Sequence, residues 1–222
     1  MTTFTAPLAE AGASVETVVI RPVTDYNFPW TGKRFFSVMP SCVLGIPEQL
    51  EPLELKEEGY DLIILGYQPW FLSPSIPSNS LLQNEAFKAL LKDTPVITIS
   101  AARNMWLNAF TRVRNMLKDA SAVLVGNVAL VDKHPNPVSF VTIFYWMLSG
   151  KKERYLNIFP KPGVSEEDIA NTSEPVTTMR LAIFYIDFFY NARKHSFCNQ
   201  FFGAVEHLHI TFKFSETKIL FF

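Results

Sequence analysis

Aromatic rings set beside hydroxyls at a strand end can stack on a planar heterocycle and hold its polar edge. One segment of this 222-residue chain has that make-up. Residues 66–77 read GYQPWFLSPSIP, with Tyr67, Trp70 and Phe71 among Gln68, Ser73 and Ser75, and with Pro69, Pro74 and Pro77 to stiffen the loop. The competing reading is an aromatic loop that folds back over its own sheet. A second segment, residues 101–106 (AARNMW), puts Ala101, Ala102, Arg103 and Asn104 at a helix start. The helix dipole there favours an anion or a polar ring edge, though a solvated arginine at a helix entry would look the same. A third segment, residues 132–137 (DKHPNP), carries His134, which reads as a surface loop residue rather than an acid–base group.

Other reactive side chains are isolated. Cys42 sits in MPSCVLGIP with no histidine near it in sequence, so it reads as a packing cysteine rather than a nucleophile. His207 and His209 would share one strand face, but no third ligand accompanies them and no metal site is expected. Lys151, Lys152 and Arg154 follow an apolar helix candidate. That pattern fits contact with a membrane or acyl chains; a buried helix ending in a solvated turn is the favoured alternative. The Walker loop, the GxSxG elbow and the HExxH motif are absent.

The elements that would position these loops alternate along the chain. Residues 15–20 (VETVVI), 60–65 (YDLIIL), 94–100 (TPVITIS) and 122–131 (AVLVGNVALV) read as strands. They are continuous apolar runs rather than alternating ones, as in parallel strands covered on both faces. Residues 81–92 and 105–119 read as helices between them; in the second, Trp106, Phe110, Val113 and Leu117 recur at helical spacing. Strands alternating with helices predict an α/β fold. Residues 22–59 hold four prolines after Pro22 and a group of aromatics, and predict a long loop that is functional or carries local structure.

Composition narrows the class. With 48% apolar and 18% charged residues, the chain can build a core without disulfides or structural metal. A net charge of -1 argues against nucleic acid as a partner. The two cysteines, Cys42 and Cys198, form no CxxC pair, which makes a reducing cytoplasm the expected compartment. The longest dense apolar stretch, residues 138–148, falls short of the roughly 20 residues that a spanning helix needs. No transmembrane segment is therefore expected, and no signal peptide is apparent at the N-terminus. Residues 170–222 hold ten of the 20 phenylalanines without a sustained period. They are set apart as an atypical extension to a domain spanning residues 1–169.

The segments GYQPWFLSPSIP, TPVITISAARNMW and LVGNVALVD, with FPWTGKRFFSVMPSCVLGIP and YWMLSGKKERYLNIFPKPGV, resemble the flavodoxin-like proteins known as dialkylresorcinol condensing enzymes. These are associated with clusters for aryl-polyene and dialkylresorcinol lipids. The resemblance covers roughly residues 5–169. It implies a three-layer sandwich around a parallel sheet, and FMN as the cofactor. By position it implies a flavin site at Tyr67, Gln68, Pro69, Trp70, Phe71 and Ser73 and at Ala101, Ala102, Arg103 and Asn104.

The chain departs from this pattern at its start. A flavodoxin opens with a strand and a Ser/Thr-Gly loop that wraps the phosphate. Here residues 2–12 (TTFTAPLAEAG) read as the remainder of the first helix, closed by Gly12. The first strand and the phosphate loop are then expected upstream of Met1. Without that strand, residues 15–20 would pair directly with residues 60–65, or residues 209–214 (HITFKF) would fill an edge. The implied function is an FMN-dependent oxidoreductase or electron carrier accessory to dialkylresorcinol or aryl-polyene biosynthesis, with other cluster proteins as partners. The alternatives are a partner-binding subunit that has lost flavin, and a true condensing enzyme. The last is disfavoured by the short chain and by the missing Cys/His/His set.

Overall fold

The computed structural model describes residues 2–103, 105–170 and 217–221. The N-terminal segment forms α1 (Thr2–Glu10), which buries Phe4 and Leu8, one helical turn apart, against the sheet. Gly12, at φ 97°, closes the turn into β1 (Ser14–Thr17).

The proline-rich stretch after β1 carries a helix, α2 (Gly32–Leu44). Thr31 caps it by accepting a hydrogen bond from the Arg34 N–H at 3.2 Å, and Gly45 ends it at φ 68°. Pro40, inside this helix, hides it from a propensity reading.

The next elements are β2 (Leu62–Tyr67), a short hairpin β3 (Pro69–Trp70) and β4 (Ser73–Pro74), then α3 (Ile76–Gln83) and α4 (Glu85–Leu91). The single helix expected over residues 81–92 is broken at Asn84. This residue leaves helical backbone geometry, and its side chain accepts from the Phe87 N–H to start α4. The chain continues through β5 (Pro95–Ala102), α5 (Leu107–Asp119), β6 (Val123–Val131) and α6 (Asn136–Ser149). A 3₁₀ turn at Tyr155–Asn157 and α7 (Glu166–Ala170) follow.

The last described strand, β7 (Lys218–Phe221), changes the expected topology. The five-stranded sheet runs β1-β7-β2-β5-β6, and every pairing is parallel. Strand β1 does not pair with β2, as was expected for a sheet lacking a first strand. Instead β7 stands between them, with Val15 opposite Ile219 on one side and Ile63 opposite Leu220 on the other. Residues 209–214, put forward for an edge, lie outside the described residues.

The order reproduces that of flavodoxin-like sheets, 2-1-3-4-5, with the place of strand 1, second from the edge, taken by β7, a strand about 200 residues after β1 in sequence. The run KILF suits a centre covered on both faces. Ile219 joins the cluster of Phe4, Leu8 and Ile64 under α1, while Leu220 joins Ile63, Leu65 and Val113 on the opposite face. Each such buried side chain contributes about 1.5–3 kcal/mol, against about 1–2 kcal/mol per residue to order the backbone. The fold is therefore α/β, a parallel sheet between helical layers, as the alternation of elements predicts.

Candidate functional site

Loops at the carboxyl edge of an open parallel sheet are where ligands bind. Strand β2 reaches this edge at Tyr67, and β5 reaches it with Ser100 directly opposite. Both side chains are buried, and neither hydroxyl has a hydrogen-bond partner. Burial pushes the Tyr67 phenol up, and the neighbouring Ser100 hydroxyl works the other way.

Past Tyr67 the chain makes the β3–β4 hairpin. Phe71 and Leu72 form its turn in the left-handed region, at φ 49° and 61°. Two successive non-glycine residues there cost about 1–2 kcal/mol each. The turn carries the Phe71 ring toward α2, where its centroid lies 4.8 Å from that of Phe35. Trp70 packs in T-shaped contacts on Trp30 at 5.0 Å and Tyr26 at 5.4 Å, and its Nε1–H donates to the exposed Gln68 Oε1 at 3.1 Å. Pro69 is half-buried. Ser73 is buried, and its hydroxyl accepts from Arg112 at 3.0 Å. On the neighbouring loop Ala101 is exposed, and Ala102 and Arg103 are half-buried. The Arg103 guanidinium lies 5.4 Å from the centre of the Phe140 ring. Asn104 lies outside the described residues.

The predicted site residues therefore separate into three sets. Gln68, Trp70, Ala101 and Arg103 remain at least partly open to solvent along the carboxyl edge. Tyr67 and Ser73 belong to the interior. Phe71 belongs to an aromatic cluster with Phe35.

A constellation that the sequence reading passed over lies at the end of β6. The buried Asp132 accepts from the Ser139 hydroxyl at 2.7 Å and from the His134 N–H at 3.0 Å. It also bonds His134 Nδ1 at 2.6 Å. Burial alone would raise the Asp132 carboxyl, but these hydrogen bonds outweigh it and hold it below the ordinary carboxylate range. The dyad borders a polar cleft of about 320 Å³, also lined by Gly163, Ser165, Glu167 and Asp168. Its only sequence signal was Asp132 and His134 two residues apart, followed by Ser139 at the start of a helix.

Cys42 takes a packing role. Its Sγ–H points at the carbonyls of Trp70 and Pro74, each at 3.3 Å, and burial pushes the thiol up to about 11. A nucleophilic cysteine needs the opposite shift. Cys198 and the pair His207 and His209 lie outside the described residues. Among the described residues, no cluster of three potential metal ligands occurs. No helix is long and apolar enough to cross a membrane among them.

Tested against FMN, the residues give a partial cradle. Gln68 and the Trp70 indole at one loop, and Ala101 and Arg103 at the other, offer polar contacts and small side chains where a planar ring could lie. The phosphate would need N–H donors between the central strand and its helix. In this chain that place lies between β7 and α1, which pack together through Phe221 and Phe4. No family model, curated protein or solved structure matches the chain.

Proposed function

We propose that this chain is a flavodoxin-like FMN-dependent oxidoreductase or electron carrier, accessory to the assembly of dialkylresorcinol or aryl-polyene lipids. The observation that carries the reading is the strand order, with β7 in the interior place that strand 1 holds in a flavodoxin-like sheet. That order sets a topological switch point between β7 and β2, and in sheets of this kind the flavin lies there. Gln68, Trp70, Ala101 and Arg103 would meet the ring from the two flanking loops. Bound FMN would supply one- and two-electron chemistry at its ring; the protein would bind, orient and shield it. Cluster proteins are the proposed partners, and the cytoplasm the proposed compartment.

One observation favours a second reading, a partner-binding subunit without flavin. The rings of Trp70 and Phe71 are already engaged with Trp30, Tyr26 and Phe35, which leaves less aromatic surface for stacking. Titration of the purified protein with FMN, followed by quenching of flavin fluorescence, separates the two. Stoichiometric quenching, weakened at least about tenfold by Arg103→Ala, supports the flavin reading. No quenching up to millimolar FMN supports the docking subunit.

A further inference from the structure

Helix α6 is inside out. Its two buried residues are the polar Ser139 and Thr142, while Phe140 is 50% exposed and Leu148 is 47% exposed. The chain after it continues the pattern. Leu156 is 65% exposed and Ile158 is 77% exposed. Leu156 and Asn157 both hold left-handed backbone, at φ 51° and 55°, a conformation disfavoured for residues other than glycine. Strained backbone here presents aliphatic side chains to solvent, which stability alone does not reward.

Along α6, between Phe140 and Leu148, runs a shallow apolar groove of about 450 Å³, bordered by Phe144, Tyr145 and Tyr155. Tyr145 and Tyr155 lie against each other at 4.5 Å. Aromatic rings with polar tips are suited to the boundary between lipid and water.

The C-terminal end of this face is basic. Lys151, Lys152 and Arg154 are all exposed at its C-terminal end, against a single carboxylate in the same run, Glu153. Lys152 Nζ sits 5.8 Å from the Trp146 ring centre, and Arg103 covers Phe140 at the opposite end of the helix. An apolar surface rimmed by cations complements acyl chains beneath anionic headgroups.

We infer that the α6 face and the following turn dock on an anionic phospholipid bilayer, with Leu148, Leu156 and Ile158 entering the headgroup boundary and Lys151, Lys152 and Arg154 meeting lipid phosphates. The face meets the proposed flavin loops only at Arg103, and the inference stands without that reading.

The test is co-sedimentation of the full chain with vesicles of equal parts phosphatidylglycerol and phosphatidylcholine, beside vesicles of phosphatidylcholine alone. The anionic vesicles are expected to bind the protein, and to release most of it near ~0.5 M salt, where charge attraction is screened. Leu156→Glu with Ile158→Glu is expected to lower binding at least about tenfold. Lys151→Glu with Lys152→Glu is expected to abolish the preference for anionic lipid. Circular dichroism of each variant checks that the fold is retained, and single Leu156→Ser and Ile158→Ser variants stand in for any that fail. No binding to anionic vesicles would overturn the inference. So would binding indifferent to both pairs of substitutions, or concentration-dependent dimerisation that Leu156→Glu abolishes, since a second copy would then be the occupant.

Discussion

Helices α5 and α6 are nearly equal in length and use their residues in opposite ways. α5 carries Arg112, Arg114, Lys118 and Asp119, yet it turns Ala109, Val113 and Leu117 fully into the core. α6 is almost wholly apolar, yet it buries only Ser139 and Thr142. Hydrophobic content therefore does not tell which helix faces the interior; the spacing of the apolar residues does. α5 has a narrow stripe and a polar back. α6 has apolar residues all round, and its orientation is set by a polar anchor, the Ser139 bond to Asp132.

The largest effects should fall on the ordinary side of this contrast. Leu117→Ala in α5 and Leu220→Ala in β7 should each lower stability by about 2–5 kcal/mol, read from urea unfolding midpoints. Leu148→Ala in α6 should change it by less than about 0.5 kcal/mol. An equal cost at Leu148 would mean that α6 packs inward after all.

Next comes the anchor itself. Ser139→Ala removes a donor from a buried carboxylate and should cost about 1–3 kcal/mol. Because the Asp132 pKa is depressed in the folded state, its contribution is complete above the unfolded value of about 3.9. It is lost as pH falls from there through the lower folded value. Unfolding midpoints between about pH 6 and about pH 3 should drop less steeply in Asp132→Asn than in the parent.

A smaller and kinetic effect concerns Cys42. With its thiol pushed up to about 11, Cys42 in a Cys198→Ser variant should react with Ellman's reagent near pH 8 at least about tenfold more slowly in the native protein than in the urea-unfolded chain. Rapid native labelling would contradict the packing role. The smallest effect belongs to the exposed Lys88–Glu85 pair at 2.8 Å, where Lys88→Ala should cost no more than about 0.5 kcal/mol.

Much of the sheet was readable from residue order. The largely apolar runs that form β2, β5 and β6 announced parallel strands, while the edge strand β1, SVET, was reached only through the β-branched residues that follow it. α5 was readable in extent but not in detail. Trp106 and Phe110 belong to a half-buried flank, where they contact each other at 5.7 Å, and the buried row is Ala109, Val113 and Leu117.

α2 was obscured by Pro40, because propensity weighs against a helix that its cap residues, Thr31 and Gly45, nonetheless delimit. β7 was obscured for a different reason: four residues carry no period, and only pairing with β1 and β2 gives them a place. The candidate site divides in the same manner. The carboxyl-edge loops follow from topology and were legible. The inward turn of Phe71 depends on a left-handed hairpin, and the Asp132–His134 bond on loop closure, neither of which residue types encode.

The interior position of β7, between β1 and β2, also governs the order of assembly during synthesis. Lys218 is hydrogen-bonded to Asp61 across 157 residues of chain. At about 5–20 residues per second, the ribosome makes that interval in about 8–30 s. Throughout it, β1 and β2 are already made, yet the strand that separates them in the finished sheet is not. The nascent chain must keep these two strands apart, or covered by a chaperone, until residues 218–221 emerge.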